Sequence, residues 1–159
     1  MDIFDEEILN FWKALRDTMV EYILVGDFAA NFHGYQRFTA DMDIWIYDTL
    51  ENRKRLRLAF KNCNMGDFPL VETIEFVPGW TEFYLNNGIR LNILTEMKGL
   101  EEYSFDECLE MASIADIDGV NVPFLQINQL IQNKKSVNWL KDQLAMTALE
   151  AIKKLREDT

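Results

Sequence analysis

Apolar and polar residues alternate through positions 41–46, which read DMDIWI. This period of two predicts a β-strand with one face in the core and the other outside it. Asp41 and Asp43 then share one face, with their Cα atoms roughly 6–7 Å apart, while Met42 and Ile44 face the core. Carboxylates beside an apolar core are costly without compensation, so the pair either lines a water-facing surface or holds a cation.

A short buried strand, YILVG, is predicted at residues 22–26 and ends at Gly26. Asp27 is predicted as the N-cap of a short helix that closes at Gly34. Glycine lets a phosphate approach the backbone, and a helix N-terminus favours negative charge. A phosphate seat beside paired carboxylates that hold one or two Mg2+ ions suits nucleotidyl transfer. A surface strand with two solvated aspartates and an ordinary N-cap is the alternative interpretation.

The remaining patterns predict an α+β fold, with a mixed sheet, flanking helices and a C-terminal helical pair. One domain is expected over residues 1–159, with a core at about 20–125 and the C-terminal helices at about 126–156. Helical spacing is predicted at 5–18, 51–62, after Ser104 or Asp106, and at 126–133 and 137–155. Strands are predicted at VETIEFV (71–77), TEFYL (81–85) and IRLNIL (89–94), and a hairpin turns at Asp118-Gly119.

The net charge of −11 disfavours non-specific binding of nucleic acid, which depends on basic side chains. The main positive stretch, residues 53–61, is either a steering surface or, more simply, a solvated helix face. The chain shows neither a signal-peptide pattern nor a run of about 18 apolar residues, so a cytoplasmic location without membrane contact is expected. Cys63 and Cys108 are expected to be free thiols, and the single histidine, His33, is expected to be structural.

The stretch LVGDFAANFHGYQRFTADMDIWI resembles the nucleotidyltransferase superfamily, whose fold is shared by polymerase-beta-like enzymes. Six of its residues are similar to a run in small bacterial nucleotidyltransferase-like proteins: His33, Gly34, Arg37, Thr39, Asp41 and Asp43. Relatives of abortive-infection toxins and minimal nucleotidyltransferases are in this group. The later segments VPFLQINQLIQNKK and LKDQLAMTAL also resemble helices of that group, so the similarity extends over nearly the whole chain.

The resemblance implies a role for each of several residues. Gly26 belongs to the phosphate turn, and Asp41 and Asp43 are metal ligands and catalytic residues. Lys134 is the basic residue near the nucleotide phosphates, with its neighbour Lys135 as the other candidate. Arg37 and Thr39 line the approach to the metal. The alternatives are that Arg37 pairs with an acidic neighbour and that Thr39 is an ordinary strand residue.

Three departures from the family pattern bear on activity. Asp27 stands where a second small residue is usual, and its carboxylate would repel a phosphate unless a cation intervenes or the side chain turns away. The third carboxylate is expected on the strand IRLNILTEM, where the inward position is Asn92. An amide oxygen can coordinate a metal but carries no charge. Glu96 would be the third ligand in place of Asn92 only if the strand register differs from the predicted one. The closing helix has Ala145 in place of a second acid.

Two functions follow from these patterns. The first is Mg2+-dependent transfer of a nucleoside monophosphate from an NTP to the hydroxyl of an RNA, protein or small-molecule acceptor, with Asp41, Asp43 and Asn92 at the site. The second is a catalytically silent protein of the same fold that binds a partner, as in a toxin–antitoxin pair. A third ligand that is Asn92 rather than a carboxylate favours the second function.

Overall fold

The computed structural model describes residues 5–36, 39–78, 80–137 and 140–157. Helices in these ranges are α1 (Glu6–Asp17), α2 (Gly26–Phe32), α3 (Leu50–Asn62), α4 (Phe105–Met111), α5 (Ile127–Val137) and α6 (Leu140–Glu157). The strands are β1 (Tyr22–Val25), β2 (Asp41–Ile46), β3 (Phe83–Tyr84), β4 (Arg90–Leu94), β5 (Ser113–Ile117) and β6 (Val120–Phe124). In these ranges no helix combines the length and apolar content needed to cross a bilayer.

The strands form one mixed sheet in the order β3-β4-β2-β1-β6-β5, which confirms the predicted α+β class. β2 is antiparallel to β1 and parallel to β4, and β1 is parallel to β6. The register places Asp43 between Val25 on one side and Asn92 on the other. The sheet therefore brings the end of β1, the second aspartate and the predicted third ligand into one row.

The core explains which face of β2 carries the carboxylates. Met42 and Ile44 are fully buried, as the alternation predicted, whereas Asp41 and Asp43 are only partly buried. α1 and α3 contribute large aromatic side chains to the same core, among them Trp12 and Phe60. Burying such side chains is the main favourable contribution to folding. Slipping β2 by one residue would turn its other face inward and place both aspartates in this core.

The strand predicted at VETIEFV is wrong. Its first residues belong to a short 3-10 helix, Pro69–Glu72, and the rest is irregular. The Arg53 guanidinium donates to the carbonyl oxygens of Val71 at 3.3 Å and Ile74 at 2.6 Å. These carbonyl groups are thus satisfied by a side chain of α3, so the segment does not need a neighbouring strand for them.

The local turn signals are confirmed. Gly88 lies in the turn between β3 and β4, where the Leu85 amide donates to the Ile89 carbonyl. The β5–β6 hairpin turns at Asp118 and Gly119. Ser104, rather than Asp106, caps α4, and its side chain and that of Glu107 form a reciprocal capping box. The C-terminal helical pair is α5 and α6, which pack against each other.

Candidate functional site

Asp43 lies at the junction of β2 with the turn that ends β1. Gly26 has a positive φ of 66°, and a Cβ atom there would clash with Oδ2 of Asp43. Glycine is therefore required at position 26 by both its conformation and its closeness to the carboxylate. The turn predicted to seat a phosphate and the carboxylate predicted to hold a metal are in direct contact.

Asn92 lies beside Asp43 in the parallel pairing of β4 with β2, the position that its predicted register gives. Its amide Nδ2 donates to Oδ1 of Asp43 at 2.8 Å. Its Oδ1 is buried and has no hydrogen-bond partner within the described part of the chain. A buried acceptor without a partner costs about 1–3 kcal/mol, which a cation bound to this oxygen would offset.

Asp41 is positioned by Thr39 through the backbone. The Thr39 hydroxyl donates to the Asp41 carbonyl at 3.0 Å and accepts from the Asp41 amide at 3.2 Å. Thr39 is buried, so its observed contacts fix the start of β2 rather than face a ligand. Arg37, which the resemblance also placed near the metal, lies outside the described residues.

Arg90 is a basic neighbour of Asp41 that the sequence interpretation missed. Its Nη1 lies 3.8 Å from Oδ1 of Asp41, and its Nε lies 3.5 Å from Oε1 of Glu82. Hydrogen bonding to Tyr84, followed by the charges of Glu82 and Asp41, raises the pKa of Arg90. A cation at Asp41 would therefore share that carboxylate with a guanidinium. The signal that could have found it is the alternation along β4, which places Arg90 and Asn92 on the same partly buried face.

Lys134 is buried between two carboxylates from other helices. Its Nζ lies 3.2 Å from Oδ1 of Asp27 and 3.4 Å from Oδ1 of Asp142, and the exposed fractions of the three side chains are 5%, 20% and 10%. We call these residues the Asp27–Lys134–Asp142 cluster. Its formal charge is −1, because one ammonium faces two carboxylates. The positive charge predicted to meet nucleotide phosphates is already shared by two acids.

The prediction that Asp27 caps α2 is wrong. α2 begins at Gly26, its N-cap residue is Val25, and no side chain makes a capping hydrogen bond there. Asp27 instead turns its carboxylate toward Lys134 because a buried ammonium needs a partner more strongly than a solvent-accessible helix end does.

One cavity of about 370 Å3 is lined by four of the eight predicted site residues: Gly26, Asp27, Asp43 and Lys134. Asp142 lines it as well, whereas Asp41 and Asn92 do not. Glu96, the alternative third ligand, also lines this cavity and is exposed. Asp142 was not predicted as a site residue; the signal that could have found it is an acid in the first turn of an otherwise amphipathic closing helix.

The donors around Asp43 suit a hard cation with an incomplete protein shell. Across the described ranges, no group of three or more histidine, cysteine, aspartate or glutamate side chains is arranged to hold a metal ion. Asp41, Asp43 and the amide oxygen of Asn92 would supply a cation with two negative charges and three oxygen donors. Mg2+ accepts such a set because it retains several water or phosphate ligands.

His33 has a structural role. Its Nε2 lies 2.7 Å from the carbonyl oxygen of Leu125, and its ring packs edge-on against Phe124 with centroids 4.8 Å apart. Burial lowers the pKa of His33, the Leu125 carbonyl raises it, and the charge of Arg156 lowers it further. The imidazole therefore joins α2 to the end of β6 in its neutral form.

We expect the stability of the protein to fall as the pH drops from about 7.5 to 5.5, because the pKa of His33 is lower in the folded chain than its ordinary value of about 6.5. The unfolded chain then binds more protons, so protonation favours unfolding below pH ~6.5. Urea unfolding across this range measures the slope. His33 is the only histidine, so His33→Gln should remove most of the slope, and a slope that persists in this variant would contradict the assignment.

The arginines of α3 are occupied by acidic neighbours. Arg55 pairs with Glu51, Arg53 with Asp48, and Arg57 with both Asp67 and Glu72. These pairs largely cancel the positive stretch predicted as a steering surface. The contacts favour the simpler interpretation, a solvated and internally paired helix face.

Neither a protein-family model nor a curated protein matches the sequence. Solved structures do match over most of the chain. A candidate nucleotidyltransferase from Thermotoga maritima is 15% identical, with a TM-score of 0.56, and the match covers 94% of this chain and 88% of that one. The solution structure of the antibiotic-resistance factor ANT(2'')-Ia is 17% identical, with a TM-score of 0.57, and the match covers 96% of this chain and 88% of that one. These similarities establish the fold.

Proposed function

We propose that this chain, which has a nucleotidyltransferase-like fold, transfers a nucleoside monophosphate from an NTP to a hydroxyl acceptor with the help of Mg2+. The observation that carries the proposal is the buried amide oxygen of Asn92, which has no partner within the described ranges and lies in the same row as Asp43. The amide nitrogen of Asn92 faces Asp43, and a half-turn of the amide about its Cβ–Cγ bond would present the partnerless oxygen to a cation held by that carboxylate.

In this proposal each group of the chain performs a limited task. Asp41, Asp43 and the Asn92 oxygen would hold Mg2+, which supplies charge neutralisation for the triphosphate. Gly26 lets the Asp43 carboxylate lie directly against the turn that ends β1. Thr39 fixes the backbone of Asp41 through two hydrogen bonds. Phosphoryl-type transfer depends mainly on positioning and charge stabilisation, which are the tasks that these groups would perform.

A second function, a catalytically silent protein that binds a nucleotide or a partner, is favoured by a different observation. Lys134 is already paired with Asp27 and Asp142, so the cavity offers a triphosphate less positive charge than the family pattern implies. The site also has two carboxylates where the family pattern implies three. Both features weaken binding of MgNTP without disturbing the fold.

A variant that restores the third carboxylate separates the two functions. Asn92→Asp places a charged oxygen next to Asp43, and we expect it to increase the Mg2+ affinity about tenfold, because affinity rises with the number of charged ligands. Without Mg2+ the same variant should melt at a lower temperature than the wild type, since the two adjacent carboxylates repel each other. Calorimetric titration with Mg2+, alone and with each NTP, measures the first effect, and thermal melts measure the second.

Asn128→Asp provides the control, since Asn128 is exposed on α5. It should leave both the Mg2+ affinity and the effect of Mg2+ on melting unchanged. If the wild type binds no MgNTP and Asn92→Asp gains no affinity for Mg2+, the catalytic proposal fails and the silent binding protein is the better description.

A further inference from the structure

A second and larger cavity adjoins the one at Gly26 and Asp43. Its volume is about 710 Å3, within the usual range for sites that bind small molecules. Glu96, Met97 and Lys98 line both cavities, so they form a shared wall. A molecule in the larger cavity would therefore lie next to a nucleotide in the smaller one.

The larger cavity has an aromatic wall formed by the end of β2 and the start of α4. It is lined by Trp45, Tyr47, Tyr103 and Phe105. The Phe105 ring stacks on Tyr47 with centroids 5.5 Å apart and meets Trp45 edge-on at 5.2 Å. These rings hold one another in place, so the wall is preorganised. Aromatic faces of this kind attract organic cations.

The rest of the lining is acidic. Three carboxylates line it, those of Asp48, Glu96 and Glu101, against the ammonium of Lys98. Arg53 pairs with Asp48 at 2.6 Å, which leaves two carboxylates against one ammonium. Glu101 accepts a hydrogen bond from the Gly99 amide at 3.1 Å, and such bonds lower its pKa, so it is ionised at neutral pH.

We infer that the larger cavity is the acceptor site, and that the acceptor is a small molecule that carries both an ammonium group and a hydroxyl. The aromatic wall and the carboxylate of Glu101 bind the cation, and the shared wall, which includes Glu96, brings the hydroxyl toward the nucleotide. The acceptor role rests on the proposed nucleotidyl transfer. A polyanion such as RNA fits poorly, because the chain has a net charge of −11 and the arginines of α3 are paired.

The transfer step balances with groups already described. The hydroxyl oxygen of the acceptor forms a bond to the α-phosphorus of the NTP. The bond from that phosphorus to the bridging oxygen of the β-phosphate breaks, and its electron pair leaves with pyrophosphate. The hydroxyl proton passes to the carboxylate of Glu96, which lines both cavities. Glu96 would thus act as the base that Asn92 cannot be.

Binding is tested with choline and its neutral isostere, 3,3-dimethylbutan-1-ol, which have nearly the same shape and differ in charge. Without NTP or Mg2+, we expect choline to bind about tenfold more tightly than the isostere, as cation–π and carboxylate contacts predict. Amide chemical-shift changes should lie at β2, at residues 95–101 and at the start of α4. Glu101→Gln should weaken choline binding about threefold to tenfold.

Glu102→Gln is the matched control, because Glu102 is the next residue but does not line the cavity. It should change choline affinity less than about twofold. Equal binding of choline and the isostere, no binding of choline, or equal effects of the two glutamate variants would each overturn the inferred cation site. If choline binds but receives no label from any NTP, the cation site is supported and its role as the acceptor site is contradicted. In that case the proposed nucleotidyl transfer is wrong, and the proposed cation site is not.

Discussion

Asp43→Asn is expected to lower the rate of nucleotidyl transfer about a thousandfold, a change on the order of 4 kcal/mol in the activation free energy. The substitution keeps the size of the side chain that packs against Gly26. It removes one of the two negative charges available to a cation at this site. Transfer of label from NTP to acceptor measures the rate, and calorimetry with MgNTP measures binding.

Asp17→Asn is the matched control for this variant, since Asp17 is exposed at the end of α1. It should retain full activity. Thermal melts should place Asp43→Asn within a few degrees of the wild type, because the amide replaces the carboxylate without a change of shape. Transfer at more than about a tenth of the wild-type rate in Asp43→Asn would show that catalysis does not use this carboxylate.

Lys134→Met is expected to reduce the free energy of unfolding by about 3 kcal/mol, because it leaves the buried carboxylate of Asp142 and the partly buried one of Asp27 without their shared cation. The Lys134 side chain is 5% exposed and that of Asp142 is 10% exposed, so water offsets only part of the loss of the ammonium. Urea unfolding at neutral pH gives the difference. The cluster joins the first turn of α2 to α5 and α6, and its loss should loosen the C-terminal helices from the rest of the fold.

Two further variants test whether the charge of Lys134 is the cause. Lys135→Met removes the adjacent ammonium, which is 57% exposed in a surface pair with Glu150, and should cost less than about 1 kcal/mol. The triple variant Asp27→Asn, Lys134→Met, Asp142→Asn removes all three charges and should recover much of the lost stability. If Lys134→Met is as stable as Lys135→Met, the cluster makes no net contribution to stability.

Patterns within a few residues predicted the strands and turns that surround the site. The alternation in DMDIWI placed Met42 and Ile44 in the core, and the Asn87-Gly88 and Asp118-Gly119 turns gave both hairpins. The register that puts Asn92 beside Asp43 could be predicted because inward and outward positions alternate along β4 as they do along β2. Such patterns are dictated by backbone geometry and burial, which act locally.

Pairings between distant residues could not be predicted from local patterns. Asp27 and Lys134 are 107 positions apart, and their contact depends on how α5 is packed. The VETIEFV segment has the composition of a strand, yet Arg53 of α3 binds the Val71 and Ile74 carbonyls. Tertiary contacts overrode local preference in both places. The Asp27 carboxylate, expected to repel a phosphate at the turn, instead pairs with Lys134 and offsets the positive charge that a phosphate would meet.

The position of β1 in the sheet bears on the order in which the chain can fold during synthesis. Its Leu24 lies opposite Phe124 of β6, and the Leu125 amide donates to the Leu24 carbonyl at 2.9 Å. At translation rates of about 5–20 residues per second, roughly 5–20 seconds separate the synthesis of these strands. During that interval β1 is paired only with β2. Its other edge keeps unpaired backbone N–H and C=O groups, and its apolar side chains are not yet fully covered. Chaperone protection of this half-made sheet would therefore matter most until β6 emerges from the ribosome.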